Sequence, residues 1–255
     1  MKLKKVSTIL IAVVFMVIVI ISFIGLFSVK KVHVDFTVST TADIERVQNK
    51  LDKFLGANLL VFNEQEVSLA LADEPYFEVV SVEKSYPNVL SVDIKERVEV
   101  YYIEYQGEFY IMTEDGFVLT KTTENPSSRY KIYLKLDGVN VNSLAVGSYI
   151  DTDKNEFVRT AFEMAGQESV NLTDCIKTLT VFVRGSESPD VIFETYTGVS
   201  IEISYADDDG VEKTQEAFES YYKHSNDYEK TFSHIIANKV DGKIDVRWSE
   251  PPRGE

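Results

Sequence analysis

The chain has 255 residues, of which 41 are acidic and 26 basic, for a formal net charge of −15. That balance argues against nucleic-acid binding, because phosphate contact needs a basic footprint. A single cysteine, Cys175, excludes an internal disulfide, a CxxC redox pair and a cysteine-rich zinc site.

From Val6 to Val29 there is no charged residue, and 19 of those 24 positions are apolar. At ~1.5 Å per residue such a helix is about 36 Å long, enough to cross a hydrocarbon core of about 30 Å. A cleaved signal peptide carries a shorter apolar run, ending at a small-x-small site. Here the run ends Leu26-Phe27-Ser28-Val29-Lys30-Lys31, without such a pair. The expectation is an uncleaved transmembrane signal anchor over 6–29 behind a cytoplasmic tail over 1–5. The folded part then lies on the extracytoplasmic side of the membrane. It carries 23 bases against 41 acids, or −18 beyond residue 29.

Residues 32–36 alternate in strand fashion. Ile44, Val47, Leu51, Phe54 and Leu55 recur at helical spacing, with Thr40 and Asp43 placed to cap the start and Gly56 to stop the run. Asn63 and Glu66 have the spacing of a capping box, with Phe62 and Val67 as the apolar staple, and this second helix must end before Pro75. Two strands follow across Pro87-Asn88. In the first, Val80, Val82 and Tyr86 are expected on one face; in the second, Leu90, Val92 and Ile94. The order strand, helix, helix, strand, strand is an α+β layer.

The segments Gly56-Ala57-Asn58-Leu59-Leu60, Pro75-Tyr76-Phe77, Val80-Ser81-Val82-Glu83-Lys84, Tyr86-Pro87-Asn88-Val89-Leu90 and Ile94-Lys95-Glu96-Arg97 resemble the POTRA domain of the FtsQ/DivIB family of bacterial cell-division proteins. Tyr102-Ile103 and Asp115-Gly116-Phe117-Val118-Leu119 are similar to that family's next segment. The resemblance implies a transmembrane helix, a POTRA domain (β-α-α-β-β) over 30–98, a mixed β domain with flanking helices over 99–250, and a tail over 251–255. Glu99 stands where the family often has proline, which implies a less rigid exit from the POTRA domain.

Val98–Tyr105, Phe109–Met112 and Phe117–Leu119 read as strands, as do Tyr130–Leu136, Thr178–Val183, Val191–Thr195 and Val199–Ser204. Helices are expected over Asp153–Gly166, with Phe157, Ala161, Phe162 and Ala165 on one side, and over Val211–His224, with Phe218, Tyr221 and Tyr222. Asp-Gly pairs at 115, 137, 209 and 241 are each a turn signal. The last strand is Lys243–Trp248, with Ile244, Val246 and Trp248 opposite Asp245 and Arg247, and Pro251-Pro252 stop it.

Catalytic signatures are thin. His33, His224 and His234 are far apart, and no metalloprotease, nucleophile-elbow or phosphate-loop pattern occurs. Cys175 beside Asp174 reads as a small, partly buried residue, Asn171-Leu172-Thr173 as a chance sequon, and Asp207-Asp208-Asp209-Gly210 as a solvated turn in preference to a calcium loop. No catalytic residue, cofactor, metal or small-molecule substrate is assigned.

The last strand is instead a sheet edge able to accept a partner strand, and Trp248 is the sole tryptophan. Its bland alternative is core packing. The resemblance implies that the C-terminal strands recruit small single-span coiled-coil division proteins of FtsB/DivIC and FtsL type, through Val240, Arg247 and Trp248, with a second contact on the POTRA domain. It implies a non-enzymatic divisome scaffold in the plasma membrane at the septum. The competing readings are a membrane-anchored cell-wall enzyme and a POTRA protein of transport or sensing.

Overall fold

The computed structural model describes residues 13–19, 22, 25–38, 44–126, 131–166, 172–184, 188–206, 209–223 and 234–249. Of the expected span, residues 13–19, 22, 25 and 26 are helical, and the rest up to residue 24 lies outside the described residues. Among the described residues no helix is long and apolar enough to cross a membrane. Packing divides the chain into two units, Met1–Arg97 and Val98–Glu255.

The first unit contains β1 (Lys31–Val38), α1 (Ile44–Leu51) with a 3₁₀ turn at Asp52–Phe54, α2 (Gln65–Ala70), β2 (Phe77–Ser85) and β3 (Val89–Glu96). The sheet order is β1-β3-β2, with β1 parallel and β2 antiparallel to β3. Val47 and Leu51 of α1 are buried against Leu90, Val92 and Ile94 of β3, and Phe54 meets Phe62 edge-on at 5.1 Å. Ile44 and Leu55 are exposed, contrary to the expected five-residue stripe. Ile44 merely opens the helix, and the tighter 3₁₀ turn rotates Leu55 out of phase with Val47 and Leu51. The Asn63 side chain accepts the N–H of Gln65 at 3.1 Å, and its carbonyl accepts the N–H of Glu66. Among the described residues the reciprocal Glu66 bond of a capping box is not formed. Thr40 and Asp43 lie outside the described residues.

The expected face Val80, Val82, Tyr86 is corrected. Val79 pairs with Ile94 and Ser81 with Asp93, so Val80 is the extra residue of a β-bulge. The bulge turns Val80 to solvent, and the inward set becomes Phe77, Val79 and Val82. Arg97, directly after β3, donates through Nη1 to the carbonyls of Pro75 and Phe77 at 3.1 and 2.8 Å.

The second unit contains β4 (Tyr101–Tyr105), β5 (Glu108–Met112), β6 (Val118–Thr122), β7 (Ile132–Asp137), the small hairpin β8 (Val141–Ser143) and β9 (Asp151–Thr152), α3 (Asn155–Ala165) and α4 (Leu172–Cys175). Then come β10 (Ile176–Phe182), β11 (Asp190–Thr195), β12 (Ser200–Ile203), α5 (Gly210–Lys223), β13 (His234–Val240) and β14 (Lys243–Ser249). Among the described residues nine strands join in the order β14-β13-β12-β11-β10-β7-β4-β5-β6. The sheet is mixed: β4/β7, β7/β10 and β12/β13 are parallel.

Ala161, Phe162 and Ala165 of α3 and Ala217, Phe218 and Tyr221 of α5 are buried in one core with the sheet. Phe162 stacks on Tyr101 at 4.9 Å, and Phe218 meets Phe193 edge-on at 5.3 Å. Phe157 is partly buried beside them, while Tyr222 is exposed. Three Asp-Gly pairs place their glycine at positive φ, but Asp209-Gly210 does not make a turn: Gly210 opens α5. Val98 is exposed and precedes β4, which starts at Tyr101. Glu99 is held by Lys131 at 2.8 Å.

Candidate functional site

A sheet accepts a new strand only at an edge whose outward N–H and C=O groups are uncovered. Beside the short β8–β9 hairpin, the two larger sheets offer four edges among the described residues, and three are blunted. On β1, the carbonyl of Val32 accepts a bond from Gln48 of α1 at 3.4 Å. β2 carries the bulge at Val80. On β6, Val118 donates to Ser148 and accepts from Gly147, both at 2.9 Å, so a loop lies along its start. The fourth edge is β14, and among the described residues no strand pairs with its outer side.

The geometry of β14 follows from its turn. Asp241 and Gly242 both have positive φ, 52° and 76°, which is the two-residue type I′ pattern whose twist suits a hairpin. Register then runs from Val240↔Lys243 to His234↔Ser249. In such a hairpin the pair beside the turn exchanges both bonds, and alternation follows. Lys243, Asp245 and Arg247 therefore bond to β13, while the backbone groups of Ile244 and Val246 point away from it.

The register separates the expected binding residues. Val240 and Arg247 share one face of the hairpin with Ile236, Lys243 and Asp245, the face opposite the helices. Val240 is 43% exposed, and the exposed Arg247 is paired with Asp245. Trp248 lies on the other face. It sits opposite the buried Ile235, packs at the margin of the core, and donates through Nε1 to Ser220 Oγ of α5 at 2.9 Å. The structure thus puts Val240 and Arg247 on one face, about 13 Å apart along the hairpin, and Trp248 on the other, where it pins the strand to α5.

Charges hold the hairpin at both ends. Lys239 Nζ lies 2.6 Å from Asp209 Oδ2, and this contact keeps the Asp209 carboxyl below its ordinary range. Lys213, buried in α5, donates to the carbonyls of Ser204 and Tyr205 at 3.1 and 2.8 Å. At the other end His234 Nε2 is 3.2 Å from Glu202 Oε2, within ion-pair distance but off the line of a hydrogen bond. That neighbour holds the Glu202 carboxyl below its ordinary value, against the opposing effect of burial.

The remaining candidates are not brought together. His33 pairs with Asp35 in the first unit, and His224, Asn171, Asp207 and Asp208 lie outside the described residues. Cys175 is partly buried, with its thiol 3.5 Å from the Tyr222 hydroxyl, and burial pushes the thiol up, away from a reactive thiolate. Among the described residues no group of three or more acidic, His or Cys side chains could hold a metal. Sequence reasoning missed β13 and with it Ile236. The signal was present in Asp241-Gly242, since a two-residue turn before one strand requires another strand ahead of it.

Residues 27–97 match the FtsQ-type POTRA domain family. Among curated proteins, the chain is 22% identical over 180 residues to cell division protein DivIB of Clostridium botulinum strain Hall, covering 69% of this chain and 68% of that one. It is 30% identical over 127 residues to DivIB of Clostridium acetobutylicum, covering 50% of this chain and 49% of that one. Among solved structures, the major extracytoplasmic domain of the trans isomer of DivIB from Geobacillus stearothermophilus aligns with TM-score 0.31 and 11% identity, over 47% of this chain and 87% of that one.

Proposed function

We propose that the chain is a bitopic, non-enzymatic scaffold of the bacterial divisome and works as a member of the FtsQ/DivIB family of cell-division proteins, whose POTRA domain residues 27–97 match. The apolar stretch from residue 6 to Leu26 anchors it in the plasma membrane, shorter than the expected span over 6–29 because Val29 is buried in the core of the first unit and Phe27–Val29 already bond to its loop. The N-terminus is cytoplasmic and the two folded units are extracytoplasmic at the septum. In support, residues 13–19 are helical, all apolar and all 46–68% exposed, a pattern that suits hydrocarbon and not water.

Its partners are small single-span coiled-coil division proteins of FtsB/DivIC and FtsL type. The single observation that carries this reading is the outer edge of β14. A partner strand gains affinity there from the backbone groups of Ile244 and Val246. It gains specificity from Val240 and Arg247 on the open face, while Trp248 fixes the strand to α5. The POTRA domain provides a second contact within the complex.

The test is a Val246→Pro variant of the full chain in lipid nanodiscs, titrated with the cognate DivIC-like protein. Proline removes one outward N–H and leaves the β13 ladder bonded. Losing that donor against a partner carbonyl costs about 1–3 kcal/mol, or roughly 5- to 150-fold in Kd. Undiminished binding by a variant with an unchanged circular dichroism spectrum refutes strand addition at β14. A fluorescent fusion that fails to gather at mid-cell refutes the divisome assignment itself.

A further inference from the structure

The first unit is joined to the expected membrane span without a linker. Val29 donates to the Ala57 carbonyl at 2.8 Å and accepts from Gly56 at 2.9 Å, and Leu59 donates to the Phe27 carbonyl at 2.9 Å. Ser28 forms a bridge with Asn58. The Phe27 ring meets Tyr86 edge-on at 5.9 Å. The loop 55–61 and the β2–β3 turn are therefore held beside the residues that leave the bilayer.

This end of the unit exposes a group of large apolar side chains. Leu55, Leu60, Val61 and Tyr86 are 48, 47, 81 and 57% exposed. The three segments that meet here, 27–34, 53–63 and 84–90, contain no Asp or Glu, yet they carry Lys30, Lys31, Lys53 and Lys84. Asp35, Asp52, Glu64 and Glu83 flank these segments, so the positive charge of this end lies in the lysines that the segments themselves carry. Lys30, Lys31 and Lys53 are exposed, and Lys84 lies near Glu64 at 3.4 Å.

We infer that this end of the POTRA unit is a membrane-seating collar: Leu55, Leu60, Val61 and Tyr86 enter the headgroup region while the surrounding lysines meet anionic lipid phosphates. The inference rests on the membrane anchor proposed above. Apolar side chains gain by leaving water at the interface, and each nearby lysine adds attraction to an anionic surface. Because the span ends at the same residues that bond to the loop, the bilayer is the partner that this surface cannot avoid. The collar would fix the POTRA unit against the membrane and so set the height at which the remainder of the chain begins.

The test uses the full chain in vesicles of equal parts phosphatidylglycerol and phosphatidylcholine, with nitroxide placed at single cysteines in a Cys175→Ser background. Labels at Phe15→Cys, Val61→Cys and Lys95→Cys report the span, the collar and the far end of β3. Lys95 is six residues along the strand from Val89, about 20 Å away. The expected result is access at Val61 to lipid-soluble oxygen with several-fold reduced access to an aqueous nickel chelate, relative to Lys95. Zwitterionic vesicles or high salt should shift the Val61 label several-fold back toward the aqueous value. If Phe15 reads as lipid and Val61 matches Lys95, the collar is refuted and the anchor stands. If Phe15 itself reads as aqueous, the anchor is refuted and the collar falls with it.

Discussion

Trp248 tests whether β14 is held from behind by α5. Two contributions can be separated. The Nε1 bond to Ser220 is 2.9 Å long and partly buried, worth about 0.5–1.5 kcal/mol net. The indole is packed against the core without being enclosed, so truncation to alanine should cost about 2–3 kcal/mol, below the 3–5 expected of a fully buried ring. Trp248→Phe keeps most of the packing and loses the bond, so it should cost about 1 kcal/mol, or about 2–4 °C in Tm for a unit of this size. Thermal and urea unfolding of the full chain, followed by circular dichroism, measures both. A double-mutant cycle with Ser220→Ala should return a coupling of about 1 kcal/mol. Trp248→Ala should also weaken partner capture, because an unpinned edge strand is a poor template, whereas Trp248→Phe should bind almost normally. A coupling indistinguishable from zero, with full binding by Trp248→Ala, would sink the anchoring argument.

Gly138 has φ +73°, and a Cβ there would lie 2.1 Å from the Val183 carbonyl oxygen, so Gly138→Ala should cost about 3 kcal/mol or more in urea unfolding; near-neutrality would mean that the β7–β10 end readily yields. The Glu202 carboxyl is held below its ordinary value of 4.5 by His234, so its stabilisation is complete above that value and is lost as pH falls through the lower folded pKa. Glu202→Gln should flatten this acid limb of the stability profile, and an unchanged profile counts against the pairing. Arg97→Ala removes two bonds from one guanidinium nitrogen to the Pro75 and Phe77 carbonyls, and should destabilise the POTRA unit by about 2–3 kcal/mol by hydrogen exchange. Wild-type protection in β2 would contradict it.

Much of the fold was legible because local chemistry and tertiary packing agree. Leu90, Val92 and Ile94 alternate in sequence and are all buried, and the helical spacing of Ala161, Phe162 and Ala165 survives into the core. What was illegible depends on backbone irregularity or on pairing across the chain. No residue type announces that Val80 is a bulge, and a strand slipped by one residue reverses its inward face. Asp209-Gly210 has the composition of a turn, yet Asp209 is taken by Lys239, thirty residues on, and the glycine starts a helix. Alternation along β14 already put Arg247 opposite Trp248, but only the register from Val240↔Lys243 places Val240 on the Arg247 face.

In the proposed scaffold the open edge would give a reason for an anchor and an edge to belong to one molecule. Ile244 and Val246 offer two donors and two acceptors, about 4 kcal/mol if each bond contributes about 1. Free association of two proteins costs an estimated 4–15 kcal/mol in lost motion, so the backbone edge alone yields no lasting complex. Confinement of both partners to one membrane relieves part of that cost by raising their effective concentration to about the millimolar range. On the proposed reading, side-chain contacts at Val240 and Arg247 would supply the rest. The Arg247–Asp245 pair would then act as a selector, because a partner strand would have to match or displace it at the open face. On the proposed reading, an edge too weak to capture a strand from solution, yet sufficient in the plane of a membrane, would recruit only partners already anchored beside it.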